Sequence, residues 1–331
     1  MPPLATSPRV RRGKGALALV AALLLVLVTS PGAAAQAPGT DQPTDAEFKI
    51  ICTVPTYGDL ARILGGPKAE VVVMARPGQD MHAVMPTPSL MQRVRNADMC
   101  VHSGLDAELW LEQLLRGSGN VKLLPGSPTG TSLSVNMSVG IKLKQVPTVF
   151  DRSQGDIHAF GNPHIWTDPY NVRIMAKTLK DAMVAAWPAE AAGIEERHKA
   201  FHDELTKKLV GWLTEYRGLK GQLVVPQHMS WVYFLDRFGV SEAGYLEPKP
   251  RLPPTPSHLA TIVEIVEARG VRVLIREPYQ PPQASEFVSE KTGATVIEMS
   301  THPGWPDGVD GIIEHFEYNL KTLSDALATD G

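Results

Sequence analysis

The stretch FKIICTVPTYGDLARILGGPKAEVVVMA, residues 48–75, sets the pattern that the rest of the chain repeats. A short apolar run at 48–54 is followed by apolar side chains at helical spacing over 57–64, and a second apolar run, rich in valine, covers 70–75. Two parallel strands need a crossover connection between them. A strand, a helix and a strand in succession therefore predict a parallel sheet with helices packed on it.

The same alternation of strands and helices continues in two blocks along the chain. Further strands are predicted at 98–102, 223–226, 271–276 and 295–299, and further helices at 89–95, 107–115, 231–238, 256–268, 283–292 and 311–327. Between the blocks, the segment 125–162 is rich in Ser, Gly and Thr and predicts loops with at most one hairpin. Two long helical patterns follow at 171–186 and 189–217, and one of them would connect two lobes.

We therefore predict an α/β protein of two lobes, each with a central, mostly parallel sheet flanked by helices. The expected boundaries are an N-terminal lobe over 36–187, a long connecting helix over 188–218 and a C-terminal lobe over 219–331. The chain that follows residue 35 has about 296 residues, which is enough for two domains of ordinary size.

The first 35 residues are typical of a signal peptide. Four basic residues between positions 9 and 14 precede an uninterrupted apolar run, Ala16–Val28, and Ala33-x-Ala35 fits a cleavage site. The apolar run is well short of the roughly 20 residues of a membrane-spanning helix. No cysteine lies near the cleavage site to accept a lipid. We expect a protein that is exported to the periplasm without an anchor.

The net charge indicates which partners the chain can bind, and the two cysteines leave the presence of a disulfide open. Residues 1–35 hold four of the 32 Lys and Arg and none of the 35 Asp and Glu, so their removal leaves a net charge of about −7. This balance argues against nucleic acid and anionic membranes as partners, and we expect a monomer. Cys52 and Cys100, the two cysteines, lie in predicted strands and fit either a disulfide or two buried thiols.

Three histidines stand where predicted strands end or a helix begins. His82 follows the strand at 70–75 through a turn-forming stretch, and His228 follows the strand at 223–226. His164 lies just ahead of a predicted helix start. In open α/β sheets, ligands bind beyond the carboxyl ends of the strands. Taken singly, each histidine is more often a loop or structural residue. Together with one further ligand, three imidazoles would form a tetrahedral zinc site in the cleft between the lobes.

Several segments resemble the zinc- and manganese-binding receptors of ABC importers. RPGQDMHAVMPTPS (76–89) is similar to the family's PGxDPHxYEPTPSD, and NPHIWTDP (162–169) is similar to its DPHxWLDP. Further matches occur in the same order as in the family, at SGLDAELWL (103–111), QHMSWVYF (227–234), REP (276–278) and TGA (292–294). The resemblance covers nearly all of the chain after residue 35.

The resemblance implies two similar lobes joined by one long rigid helix, with the metal held between them. His82, His164 and His228 fall on the family's first three ligand positions. Relatives that favour manganese have a carboxylate at the third position, where this chain has His228, and imidazole suits zinc. The expected cargo is Zn2+, with Mn2+ or iron as the alternative. The expected partners are the permease and ATPase subunits of an ABC importer, and a periplasmic metallochaperone is a candidate donor.

The chain departs from the family pattern at the fourth ligand. The family has an aspartate in the loop after the last strand, where this chain has STHPGWPD (300–307). We favour His302 as the fourth ligand, with Asp307, Glu277 and a water molecule as alternatives. The long His-rich loop of many zinc-binding members is absent from this sequence. In its region His158 is a candidate auxiliary ligand or a plain loop residue.

A zinc hydrolase is the main alternative class, because three histidines and a bound water also make a nucleophile. The sequence has no His-Glu-x-x-His and no Gly-x-Ser-x-Gly motif, so we expect a binding protein and not an enzyme. A receptor for an organic solute would need a cleft lined by aromatic and amide groups. His198 and His202 are four residues apart on a predicted helix, but the charged residues around them indicate a solvated face.

Overall fold

The computed structural model describes residues 47–124, 133–148 and 158–328. Within these ranges, eight strands form two four-stranded sheets in which every pair of neighbours is parallel. The strands are β1 (Phe48–Cys52), β2 (Ala69–Val73), β3 (Met99–His102), β4 (Ser134–Asn136), β5 (Leu223–Pro226), β6 (Ser241–Glu242), β7 (Val273–Arg276) and β8 (Thr295–Glu298).

Helices flank both sheets. In the described ranges they are α1 (Pro55–Gly65), α2 (Pro88–Arg95), α3 (Leu111–Ser118), α4 (Pro169–Ala186), α5 (Ala191–Glu215), α6 (Val232–Phe238), α7 (Pro256–Arg269), α8 (Gln283–Thr292) and α9 (Ile312–Ala328). The starts of α2, α4 and α7 share one device, a capping Thr or Asp side chain followed directly by a proline at the first helical position. The cap accepts a free backbone N–H, and proline presets the helical φ angle.

The two sheets have the same topology. Their strand orders are β2-β1-β3-β4 and β6-β5-β7-β8. In each sheet, the strand that comes first along the chain, β1 or β5, lies between two neighbours. The carboxyl ends of parallel strands meet at one edge of a sheet, and the candidate histidines follow strands of both sheets. The predicted α/β fold of two similar lobes is confirmed.

The loop-rich middle segment differs from its prediction. Residues Ser134–Asn136 form β4, which pairs parallel with β3 from Cys100↔Ser134 to His102↔Asn136. A hairpin is therefore wrong for these residues, because they pair in parallel with β3, whereas the two strands of a hairpin are antiparallel. Helix α3 also begins later than predicted. It starts at Leu111, because Glu108 lies in a loop in which its carboxylate accepts the backbone N–H of Ser103 at 2.8 Å and the hydroxyl of Thr53 at 2.7 Å.

Both cysteines are buried free thiols. The register pairs Cys52 with Val101 and Cys100 with Ile51 on the adjacent strand. Since side chains alternate between the faces of a sheet, the two sulfurs point to opposite faces of the first sheet. Of the two alternatives that the sequence left open, the structure therefore has two buried thiols and not a disulfide.

Helix α5 connects the lobes. It packs along α1 and α4 of the first lobe, and near its end Trp212 meets Phe316 of α9, with ring centroids 5.8 Å apart. The largest cluster of buried apolar side chains is continuous from the first sheet, through α5, to residues on β7 and α9. A second, smaller cluster covers the other face of the second sheet. A continuous core resists large changes in lobe orientation. The predicted boundaries at 187 and 218 stay a prediction.

Polar contacts tie the segment before α4 to α6 of the second lobe. Arg237 donates two hydrogen bonds to the buried carboxylate of Asp168, at 2.9 and 2.8 Å. The Tyr233 hydroxyl donates to the carbonyl of Asn162 at 2.7 Å and accepts the backbone N–H of Lys144 at 3.1 Å. Asn162 lies two residues before His164, so these contacts hold the backbone that carries this histidine.

The predicted signal peptide, residues 1–35, lies outside the described residues. Among the helices of the described ranges, none combines the length and the apolar character needed to cross a membrane.

The hydroxyl of Tyr233 is expected to stabilise the contact between the lobes. Tyr233→Phe leaves the Lys144 N–H without its acceptor and the Asn162 carbonyl without its donor, so the free energy of unfolding should fall by about 1–3 kcal/mol. Urea unfolding followed by circular dichroism measures it. Tyr170→Phe, at a side chain that is 43% exposed, is the control and should change stability by less than about 0.5 kcal/mol. Equal stabilities of the two variants would contradict this role.

A second contact between the lobes depends on pH. The Asp59 carboxylate in α1 accepts the backbone N–H of Ile312, the first residue of α9, at 2.9 Å. Burial raises the pKa of Asp59 from 3.8 to about 6, against the opposing effects of the Ile312 hydrogen bond and Arg62. Because the pKa is raised on folding, the proton stabilises the folded state at low pH, and this stabilisation is lost as the pH rises through about 6.

Asp59→Asn keeps an oxygen acceptor for Ile312 and removes the titration. The stability of the variant relative to the wild type should therefore be greater at pH 8 than at pH 4 by on the order of 2 kcal/mol. Urea unfolding at both pH values provides the measurement, with Glu112→Gln at an exposed position of α3 as the control. A relative stability that does not change with pH would show that Asp59 titrates at its ordinary pKa.

Candidate metal centre

The structure brings three of the predicted site residues together. His82 lies in a short 3-10 turn after β2, His164 precedes the turn that leads into α4, and His228 is the second residue after β5. One ring nitrogen from each histidine lies within 4.8 Å of the other two. We call His82, His164 and His228 the three-histidine group. Its members come from both lobes and converge on one point.

Each ring of the three-histidine group is oriented by a hydrogen bond on its Nδ1 atom. The acceptors are Ala107 O for His82 at 2.9 Å, Asn162 Oδ1 for His164 at 3.0 Å and Glu247 Oε2 for His228 at 2.8 Å. Because these oxygens accept, Nδ1 carries the proton of each neutral ring, and Nε2 presents its lone pair. The Nε2 atoms of His82 and His164 are 3.4 Å apart. Three lone pairs that face one another are suited to a cation.

The rings differ in their affinity for protons. Burial lowers the pKa of His164 well below its usual range, and the neighbouring imidazoles add to the effect because their positive charges would repel a proton there. Burial also lowers the pKa of His228, but the hydrogen bond and negative charge of Glu247 outweigh it, and the pKa is raised overall. His164 is therefore a neutral donor over the whole physiological range, whereas His228 combines a lone pair with a nearby anion.

The three-histidine group lies at the base of a pocket between the lobes. Its lining includes Gln145, Pro163, Met229 and Pro250 in addition to the histidines. His164 and His228 are only 4% and 7% exposed, while His82 is half-buried. An ion would therefore approach from the side of His82.

His158 lies beside the group but not in it. Its ring stacks on His82 with centroids 5.0 Å apart and an interplanar angle of 28°, and it lines the same pocket. Its role as an auxiliary ligand or a plain loop residue, which the sequence left open, stays a prediction.

The structure does not bring His302 into the three-histidine group. Its ring stacks on Trp166 at a centroid distance of 4.8 Å, and its Nδ1 hydrogen-bonds with the Thr56 hydroxyl at 3.0 Å. Its Nε2 is buried and has no hydrogen-bond partner among the described residues. The stack on Trp166 and the contact with Thr56 hold the His302 ring against the first lobe and away from the three-histidine group.

The other two fourth-ligand candidates also lie outside the group. Asp307 is exposed to solvent. Glu277 is fully buried near His228, and neither carboxylate oxygen has a hydrogen-bond partner within the described ranges. Burial raises the pKa of Glu277 to about 7, against the opposing charge of His228. Burial thus favours the protonated form of this carboxyl group more than exposure to water would.

His198 and His202 on α5 do not form a comparable site. Their ring centroids are 5.8 Å apart, but the guanidinium of Arg173 lies 3.0 Å from the Nε2 of His202. The charge of Lys180 also helps burial to lower the pKa of His198. Cationic neighbours oppose a metal ion at this position.

The sequence did not reveal the residues that orient the group. Asn162 accepts both the backbone N–H and the Nδ1–H of His164, each at 3.0 Å. Glu247 lies 19 residues after His228. Asn162 stands within the motif NPHIWTDP, which was the one available sign of its role. Glu247 stands just before a Pro-rich stretch. Nothing in the sequence around it indicates that its side chain meets a histidine.

The chain is similar to known metal-binding proteins over most of its length. The family model of the zinc-uptake complex component A, periplasmic (ZnuA), matches residues 50–326. The chain is 22% identical over 312 residues to the manganese-binding lipoprotein MntA of Halalkalibacterium halodurans, covering 92% of this chain and 97% of the relative. It is 25% identical over 284 residues to the iron-binding protein YfeA of Yersinia pestis, covering 83% and 84%.

A crystal structure of ZnuA has the same fold. The TM-score is 0.70 at 19% identity, and the alignment covers 85% of this chain and 99% of the solved one. The resemblance to metal-binding receptors that the motifs indicated is thus confirmed over most of the chain. The protein belongs to the periplasmic zinc-uptake component A family.

Proposed function

We propose that this protein binds one divalent transition-metal ion in the cleft between its lobes and delivers it to an ABC importer from the periplasm. The observation that carries the proposal is the convergence of three Nε2 lone pairs, each set by a hydrogen bond on the opposite ring nitrogen. Membership of the zinc-uptake family supports transport over hydrolysis. The permease and ATPase subunits of the importer are the proposed partners.

Zinc is the proposed cargo. All three donors of the group are imidazole nitrogens, which suit zinc, whereas manganese prefers carboxylate and carbonyl oxygens. Because sequence relatives are named for manganese and for iron, family membership alone does not fix the metal, and the donor atoms carry the proposal. Mn2+ and iron are the alternatives.

For the fourth position we propose a water molecule. His302, which the sequence favoured, is held by Thr56 and Trp166, and Asp307 is exposed. Glu277 contributes no oxygen to the group of ligand atoms that lie within 4.8 Å of one another. Three histidines with one solvent ligand form an accepted tetrahedral zinc set. His302 and Glu277 stay alternatives that substitution can separate.

Loss of any member of the three-histidine group should weaken zinc binding strongly. His82→Ala, His164→Ala and His228→Ala each remove one of three protein donors, so the zinc affinity should fall by more than about 100-fold, a larger loss than for orienting residues. Competition with a chromophoric chelator measures the affinity, and elemental analysis should give one zinc per wild-type chain. His198→Ala is the control and should change affinity less than about threefold.

His302→Ala and Glu277→Gln decide the fourth donor in the same assay. With water as the donor, both should stay within about fivefold of the wild type, below the range seen for orienting residues of metal sites. If His302→Ala lowered the zinc affinity as much as His164→Ala does, His302 would be identified as a ligand. Equal losses at His198 and in the three-histidine group would contradict the whole assignment.

Replacing one nitrogen by oxygen should change the metal preference. His228→Glu introduces a carboxylate at the third donor position, and Glu247→Gln in the same chain removes the like charge that would lie beside it. The preference for zinc over manganese should fall by at least about tenfold, because hard oxygen donors suit manganese. Paired titrations of both metals provide the ratio, with Glu247→Gln alone as the control. An unchanged ratio would mean that donor type at this position does not set the preference.

A further inference from the structure

A chain of contacts outside the three-histidine group links a histidine of one lobe to a histidine of the other. Glu247 Oε2 accepts the Nδ1–H of His228 at 2.8 Å and the backbone N–H of Arg251 at 3.0 Å. The Arg251 Nε lies 3.5 Å from Asp80 Oδ2 in the first lobe. Asp80 Oδ1 in turn accepts the backbone N–H of His82 at 2.9 Å. We call Asp80, Glu247 and Arg251 the cleft bridge.

The backbone of the second lobe is built to present this bridge. Leu246 and Glu247 run beside the end of β5. Their backbone N–H groups donate to the carbonyl oxygens of Pro226 and Gln227, both at 3.0 Å. The turn that follows closes with the bond from Leu252 N–H to Lys249 O at 3.0 Å. Glu247 is therefore fixed by the same strand end that carries His228.

Arg251 occupies this turn with a φ angle of 61°. A left-handed conformation is strained for a residue with a side chain and persists where its surroundings hold it. Here it directs the Arg251 N–H to Glu247 while the guanidinium reaches Asp80 across the cleft. Prolines on both sides of Arg251 restrict the loop further, since each fixes its own φ angle.

The two halves of the cleft bridge differ in exposure. At one end of the cleft bridge, the side chain of Glu247 is 16% exposed and that of its partner His228 is 9% exposed, so the charge of the carboxylate acts on the imidazole with little screening by water. Asp80 and Arg251 are 21% and 45% exposed, and an ion pair of this kind contributes little to stability by itself. Its significance lies in its position, because it joins a residue of the first lobe to a residue of the second across the cleft.

We propose that Glu247 is a positioning residue that fixes the tautomer and the direction of His228, and that Arg251 and Asp80 couple this residue to closure of the cleft. The inference rests on the proposed metal-binding function for its effect on affinity. When the ring binds a cation at Nε2, positive charge develops on the imidazole, and the Glu247 carboxylate stabilises it. Closure of the bridge then slows the escape of the ion past His82.

The positioning role has a test that needs no metal. In 15N-histidine NMR of the metal-free protein near pH 8, His228 should be almost entirely the Nδ1–H tautomer, as the contact with Glu247 requires. Glu247→Ala should give a mixture of the two tautomers, and Glu247→Gln should restore the wild-type pattern because its amide oxygen still accepts. A wild-type tautomer in Glu247→Ala would overturn the proposal, whatever the protein binds.

The effect on binding is measured with zinc alone. Glu247→Ala should weaken the affinity by about 10- to 100-fold, the range for residues that orient a ligand, and Glu247→Gln by less because only the charge is lost. Glu298→Gln, which breaks an ion pair with Arg276 elsewhere in the second lobe, is the matched control and should bind as the wild type. Equal affinities of Glu247→Ala and Glu298→Gln would overturn the role of Glu247.

The coupling across the cleft is tested by a double-mutant cycle. Asp80→Asn keeps the acceptor for the His82 N–H and removes the charge that faces Arg251, and Arg251→Gln removes the other partner. Each single variant should release zinc about threefold faster in stopped-flow exchange, and the double variant no faster than either, as for two groups that act on each other. Release rates equal to that of the wild type in both single variants would overturn the coupling.

Discussion

The candidate site depends on the side chain of Asn162. Its oxygen accepts both the backbone N–H and the Nδ1–H of His164, and its amide nitrogen donates at 2.8 Å to Gln145 and to the carbonyl of Met229 in the second lobe. Its own carbonyl accepts the hydroxyl of Tyr233. One residue thus orients the central histidine and joins it to the opposite lobe. The same residue therefore fixes the direction of the His164 lone pair and the contact between the lobes.

The chemistry of the site follows from a balance between burial and charge. Burial keeps His164 neutral and its lone pair available, which favours a metal ion over a proton. Glu247 supplies a negative charge beside His228 that an ion bound at the opposite nitrogen would feel through the ring. A site of three neutral imidazoles, with no anion in direct contact, would meet the full cost of placing a divalent charge in a buried position. A carboxylate one ring away offsets part of that cost.

The architecture limits how far the cleft can open. Apolar side chains are continuous from the first sheet through α5 to α9, and the Arg237–Asp168 pair and Tyr233 join the lobes at a second place. Motion is therefore expected to be confined to the segments around the pocket, where His82 is half-buried and the pair between Arg251 and Asp80 is partly exposed. A small closure of these segments suits a receptor that must both retain an ion and release it.

The sequence by itself determined the two-lobe α/β fold, because the spacing of apolar residues over 48–75 and its repetition after 223 leave few other ways to bury them. It also identified His82, His164 and His228, since strand ends of parallel sheets lie at one edge and the family motifs mark these positions. The tertiary structure alone decided the placement of His302 against Trp166, the separation of the two thiols and the roles of Asn162 and Glu247. Those features depend on contacts between residues that are distant in sequence or on opposite lobes, and neither composition nor periodicity records which side chains meet after folding.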